Sequence, residues 1–257
     1  MRSKPVQLQR AYLLHSRPYR DNSRLLNLFT ENDGHIGVIA YTSSSGKNAK
    51  AGQLQPFAAL ELELKGDASL KTLSKVERAE KSLMLQQEYL YSGFYLNELL
   101  VRLLPENIAA NELFYLYAQT LKALADGQAM EPLLRRFEMT LLQELGQGID
   151  FSELQPMAEA VAMPTDEQVA QPDAGYSSGN ELFYHYRSQS GFVVADNRKE
   201  ARYASSHLQQ IGLGNLSQPD VLLTCKRLMR QVLNQQLGDK PLHSRSLFAS
   251  HLNKGKK

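Results

Sequence analysis

The sequence predicts an α+β protein, with a β-rich N-terminal domain over residues 1–80 and a mainly α-helical domain over residues 81–257. Three observations predict it. Apolar side chains recur at every second position up to residue 80 and thereafter at a period of about 3.6, the spacings of a strand and of a helix. Gly and Asp punctuate the first part at short intervals, as turns between strands require. Of the 257 residues, 42% are hydrophobic and one is Cys, so a core can form without cross-links.

The first segment, VQLQRAYLLH, carries Leu8, Arg10, Tyr12 and Leu14 on one side and Gln7, Gln9, Ala11 and Leu13 on the other, so both faces of this strand are partly covered. Tyr12 and Phe29 sit in apolar alternation and are expected to fill the barrel core. RLLNLFT and HIGVIAY flank the turn ENDG, and Asp33-Gly34 marks a hairpin because Gly accepts the positive φ of a tight turn. After the polar stretch TSSSGKNAKAG, two more alternating segments, FAALELELKG and SLKTLSKVE, meet at Lys65-Gly66-Asp67. Five short strands with no helix between them predict a small closed barrel or a sandwich.

Residues 81–104 are apolar enough for a buried helix, stopped at Leu104-Pro105. A second helix spans 109–125 and ends at Gly127, and a third opens with Pro132 and runs to Gly146. Residues 150–190 read as a weakly structured insertion, with LFYHYRSQSGFVVAD offering a strand pair around Gly191. A last long helix begins after Ser217 or Gln218. Its stripe of Val221, Leu222, Cys225, Leu228, Met229, Val232 and Leu233 opposes Lys226, Arg227, Arg230 and Asn234. A short helix from Ser244 to His251 precedes the Lys-rich end.

The net charge of +2 conceals segregation along the chain. Residues 1–30 hold six basic side chains against Asp21, residues 126–185 hold eleven acids against Arg135 and Arg136, and residues 225–257 hold eight basic side chains against Asp239. A polyanion is one partner that such a distribution suits, although solvated faces and a frayed basic tail are the commoner origin of charge runs taken alone. No apolar run reaches the length of a membrane span, the first ten residues lack the apolar stretch of a signal peptide, and a lone thiol suits a reducing compartment. A cytoplasmic protein that is not associated with a membrane is expected.

Catalytic signatures are absent. Gly46-Lys47 lacks the Gly and the Ser or Thr of a phosphate loop, Gly212-Leu213-Gly214 lacks the third Gly of a dinucleotide site, and the six His are scattered without metal-ligand spacing. Neither an enzyme nor a cofactor is expected. Binding chemistry is better represented: Arg17, Arg20 and Arg24 surround Tyr19, which combines cations for phosphates with an aromatic face for an unstacked base. Lys47 and Lys50 lie in a polar loop that could fold over a strand of DNA.

Taken together, certain segments resemble the RecO family of bacterial DNA repair proteins, which are recombination mediators. They are Ala11-Tyr12-x-Leu14-His15-x-Arg17-Pro18-Tyr19, Leu28-Phe29-Thr30 with Gly34, Leu54-Gln55-Pro56-Phe57, and Tyr91-Ser92-Gly93-x-Tyr95-x-Asn97-Glu98-Leu99-Leu100. Further on they include Leu134-Arg135-Arg136-Phe137-Glu138-x-x-Leu141-Leu142 and Lys240-Pro241-Leu242-x-Ser244-Arg245. The resemblance implies an OB-fold barrel before the helical domain and binding of single- and double-stranded DNA. It also implies annealing of complementary strands, and cooperation with RecR and the single-stranded-DNA-binding protein (SSB) in loading RecA. The chain departs from the family in two places. It lacks the Cys-x-x-Cys that holds zinc in some members, so no metal is expected, and its 42–52 loop is less basic than in many relatives.

On this reading DNA contacts Arg17, Tyr19, Arg20, Arg24, Lys47 and Lys50 in the barrel, and Lys226, Arg227, Arg230 and Arg245 beyond it. The acidic tail of SSB would need an Arg fork beside an apolar groove, for which Leu134, Arg135, Arg136, Phe137 and Leu141 qualify. Arg135 equally suits a structural ion pair with Glu131 or Glu138. The alternative to a DNA-binding mediator is a protein-interaction scaffold that makes no direct DNA contact.

Overall fold

Strand pairing decides for the barrel. The computed structural model describes residues 8–41, 50–66, 70–154, 177–178 and 181–247. Its first five strands are β1 (Gln9–Tyr19), β2 (Ser23–Thr30), β3 (Gly34–Tyr41), β4 (Leu60–Lys65) and β5 (Leu70–Arg78). They close in the order β1-β2-β3-β5-β4, with β4 returning to β1 and with β3 and β5 parallel, an OB-fold type of barrel. Leu26 and Leu28 of β2, Ile36 and Val38 of β3, and Leu60 and Leu62 of β4 fill its interior. A short helix, α1 (Lys50–Gln53), lies between β3 and β4.

The double alternation of β1 has a physical cause. Ala11 and Leu13 point into the barrel. Tyr12 points out, together with Phe29 across the β1–β2 ladder. These two are buried, but outside the barrel: Tyr12 stacks edge-on against Tyr117 at 5.1 Å, and Phe29 against Phe114 at 5.3 Å. Alternation alone could not tell an inner face from an outer face covered by a helix. The pairing register then shifts at Leu14, and the carbonyl freed there accepts a hydrogen bond of 3.0 Å from the Asn97 amide. A buried backbone carbonyl is thus satisfied by the helix that covers it.

Three helices follow: α2 (Gln87–Leu103), α3 (Asn111–Ala125) and α4 (Met130–Glu144). The third starts two residues before the expected Pro132, which its first turn accommodates because no intrahelical partner exists there for the missing N–H. By packing, the chain divides into two units, residues 1–145 with 239–257 and residues 146–238. The change from strands to helices near residue 80 falls inside the first unit.

The return of the chain to the first unit is held by Glu98 of α2. Its carboxylate accepts hydrogen bonds from the His243 and Ser244 backbone N–H groups, both 2.8 Å, and from the Ser244 hydroxyl at 2.6 Å. Arg102, one turn on, donates to the carbonyls of Lys240 and Pro241. Residues 243–247 are helical, so Glu98 sits where a helix start favours an anion. Desolvation raises the Glu98 pKa, but the Ser244 and His243 hydrogen bonds outweigh it and hold the carboxyl below its ordinary 4.5. A group with a depressed folded-state pKa contributes stability above its unfolded value and loses it as pH falls through the folded one. Protection of the 239–247 amides from hydrogen exchange is therefore expected to fall in Glu98→Ala at neutral pH, and in the wild type below about pH 4.5. Equal protection in both proteins would refute the anchor.

The second unit contains β6 (Ser177–Ser178), β7 (Glu181–Arg187), β8 (Gly191–Val194) and β9 (Tyr203–Ala204), followed by α5 (Ser205–Gly212) and α6 (Pro219–Leu237). β7 is central, pairing β6, β8 and β9. The β7–β8 pair turns just before Gly191, as its sequence predicts. α5 is an element the sequence reading did not anticipate. Its start is capped from across the sheet, where one Glu181 oxygen accepts from Ser206 N–H at 2.8 Å and from the Ser205 hydroxyl at 2.9 Å. No capping residue precedes the helix in sequence. No helix among the described residues is long and apolar enough to cross a membrane.

Candidate nucleic-acid interface

The outer face of β1–β2–β3 is covered at one end and open at the other. The covered end is the Tyr12 and Phe29 cluster under α3. Towards the β1–β2 turn the same face continues with two cross-strand rows, Arg17–Leu25–Ile39 and Tyr19–Ser23–Tyr41. Side chains opposite one another across a ladder share a face, and so do residues two apart along a strand. Arg17 is exposed, Leu25 and Ile39 are half-buried, and Tyr41 is 58% exposed, large for an aromatic residue. Tyr19 and Tyr41 lie two strand spacings apart, about 10 Å.

Arg20 completes this corner. It occupies the turn with φ 53° and places its guanidinium 5.1 Å from the centre of the Tyr19 ring, within the range of a cation–π contact. Tyr19 itself is the last residue of β1, directly before that turn. Among the described residues no hydrogen bond or ion pair engages the guanidinium of Arg17 or Arg20. Two cations, two tyrosines and an apolar floor therefore share one solvent-facing surface.

Arg24 is not part of it. Paired with Pro18, it lies on the opposite face of the hairpin, where its Nε donates to the Ser16 hydroxyl at 2.7 Å. There it lines a cavity of about 450 Å³ with Leu54, Pro56 and Phe94. Lys47 lies outside the described residues, and of Lys50 only the backbone is described, at the start of α1.

In the second unit Lys226, Arg227 and Arg230 are exposed on α6, as read from sequence. The structure adds Arg202. With Tyr203, Arg227, Arg230, Gln231 and Asn234, it lines a cavity of about 640 Å³. Arg202 stands in an irregular stretch that carries no signal of its own. Only the pairing of β9 with β7 brings it to the cationic side of α6. Arg245 belongs to the first unit and is half-buried, its charge acting on Glu138 and Tyr95.

The surface expected to receive an acidic tail is not an open groove. Leu134 is 5% exposed, Phe137 and Leu141 are fully buried, and the Phe137 ring packs 6.3 Å from that of Tyr117. Their helical stripe is the face of α4 turned into the helical core. Arg135 is also buried, paired with Glu138 at 2.8 Å. Of the two arginines expected to form the fork, only Arg136 faces solvent.

Two family models match the chain: Recombination protein O N terminal over residues 3–81, and Recombination protein O C terminal over residues 85–154. Similar curated proteins include the DNA repair protein RecO of Cellvibrio japonicus, 42% identical over 95% of this chain and 97% of its own. That of Actinobacillus succinogenes is 38% identical over 95% and 96%, and that of Haemophilus influenzae 37% identical over 96% and 97%.

Proposed function

The chain belongs to the RecO family of DNA repair proteins, and from that membership we propose that it is a DNA-binding recombination mediator that acts by binding, with no catalysis of its own. The observation that carries this reading is the open corner of the barrel. Single-stranded DNA is held by cations along its backbone and aromatic faces under its bases, and Arg17 and Arg20 flank Tyr19 and Tyr41 there. The strand 2–3 face and first loop of an OB-fold are also where such barrels bind oligonucleotides. The α6 cations serve the second strand when complementary strands are annealed. Cooperation with RecR, with SSB through its acidic tail and, through these, with RecA rests on the family resemblance, as does a cytoplasmic site of action. No surface of the described residues is assigned to the tail.

Titration of labelled single-stranded oligonucleotide at several salt concentrations tests the proposal. Each phosphate contact to a single strand contributes about 0.7 to the slope of log affinity against log salt. Arg17→Ala/Arg20→Ala is expected to flatten that slope by about 1.4. Tyr41→Ala is expected to weaken binding by about 1 to 3 kcal/mol, the contribution of one stacked base, and to leave the slope alone. Arg24→Ala serves as the comparison, with a small effect because its Nε is held by Ser16. Unchanged slopes in every variant would favour a protein-interaction scaffold that reaches DNA through its partners.

A further inference from the structure

The cavity beside α6 has a fixed floor and a free cationic rim. Tyr203 donates its hydroxyl to Gln231 Oε1 at 2.7 Å, the Gln231 amide donates to the Tyr186 carbonyl at 2.9 Å, and Arg202 N–H donates to the Tyr184 carbonyl at 3.0 Å. Sheet and helix are thereby pinned together. Above them stand Arg227 and Arg230, three residues apart on one helical face, and Arg202 from the sheet. Among the described residues no hydrogen bond or ion pair engages the guanidinium of any of the three. Three like charges around one cavity repel one another, and an anion entering it relieves that repulsion.

The number and kind of donors narrow the anion. A guanidinium presents paired N–H groups that match two oxygens of a phosphate. A phosphomonoester carries a charge of about −1.5 to −2 at neutral pH and three terminal oxygens. An internal phosphodiester offers one charge and two such oxygens, too few to occupy three guanidinium forks. The cavity, about 640 Å³, is also larger than a bare phosphate needs and falls within the roughly 300 to 1,000 Å³ range of small-ligand sites. We propose that it receives the phosphorylated end of a DNA strand, the terminal phosphomonoester between Arg202, Arg227 and Arg230 and the first nucleotide in the remaining space. This rests on the reading that the protein binds DNA, and it adds recognition of where a strand stops to recognition of the strand itself.

The full-length protein is titrated with two oligonucleotides of one sequence, labelled at the 3′ end and carrying either a 5′-phosphate or a 5′-hydroxyl. The phosphorylated strand is expected to bind about tenfold more tightly at neutral pH, and less so at pH 5.5, below the second phosphate ionisation near pH 6. Arg202→Ala and Arg227→Ala/Arg230→Ala, all at exposed positions, are expected to abolish that preference. Arg17→Ala/Arg20→Ala should weaken both strands alike and keep it. Equal affinities in the wild type, or a preference surviving the α6 and Arg202 variants, would overturn the inference while leaving DNA binding by the barrel intact. Failure of both strands to bind would sink the DNA reading and this one with it. A nucleoside 5′-monophosphate that binds as tightly as the phosphorylated strand would assign the cavity to free nucleotides instead.

Discussion

Arg135→Ala is expected to destabilise the first unit by about 3 to 5 kcal/mol, the range for removing one partner of a buried ion pair. Arg135 donates to Glu138 at 2.8 Å, and the Tyr95 hydroxyl donates to the same carboxylate oxygen at 2.6 Å. The Glu138 side chain is fully buried and that of Arg135 is 8% exposed. Desolvation pushes the Glu138 pKa up, against the attraction of Arg135 and the hydrogen bond from Tyr95. Without Arg135 the carboxyl has lost its nearest cation, and its folded-state pKa rises further. A raised folded-state pKa contributes stability below the unfolded value, and that stability is lost as pH rises through the folded one. The deficit of Arg135→Ala against wild type should therefore widen from about pH 4.5 towards neutrality. Adding Glu138→Gln should recover part of it, because the amide carries no charge to bury. Denaturant unfolding of the wild type, both single variants and the double variant at pH 5 and pH 8 reads this out. Additive losses would mean that the pair is not coupled, and the account of the core would then fail.

That pair also marks where sequence reading ran out. Strand-to-helix order, the Asp33-Gly34 hairpin, the turn before Gly191 and the cationic face of α6 are encoded by neighbours in the chain, and each was legible there. Leu134, Phe137 and Leu141 do form one helical stripe, but a stripe states only that something covers it. The helical core covers this one, and a one-dimensional pattern does not distinguish that from a ligand groove. Arg24 parts from Arg17 and Tyr19 for a related reason: on β2 it alternates with Leu26 and Leu28 of the barrel interior, whereas the register shift at Leu14 of β1 turns Arg17 and Tyr19 to the outer face, and that shift has no sequence signature. In the sequence Tyr41 reads as no more than the last residue of an apolar strand. Its significance appears only when the ladder sets it in one row with Ser23 and Tyr19.

Gly34→Ala is expected to lower stability by on the order of 3 to 5 kcal/mol, near the upper limit for single substitutions. Gly34 opens β3 with φ +68°, a conformation that disfavours any side chain by about 1 to 2 kcal/mol. The larger part of the effect is contact. A Cβ at this position would lie 1.8 Å from the Ile108 carbonyl oxygen and 2.8 Å from its carbon. Both are backbone atoms of the α2–α3 connection and cannot swing aside as a side chain can. That connection is tied to the hairpin, since Asn107 N–H donates to the His35 carbonyl at 2.8 Å and the His35 ring lies 3.2 Å from the Leu104 carbonyl. Moving it would disturb the seam between barrel and helices where Tyr12 and Phe29 are buried. Gly127→Ala supplies the control: its φ is +73°, but nothing lies within 4 Å of an added Cβ, so strain acts there alone. At roughly 2 to 4 °C per kcal/mol for a chain of this size, Gly34→Ala should lower Tm by about 10 °C and Gly127→Ala by no more than about half of that. Equal shifts in the two variants would show that backbone conformation, and not the close approach of residue 108, makes Gly necessary at position 34.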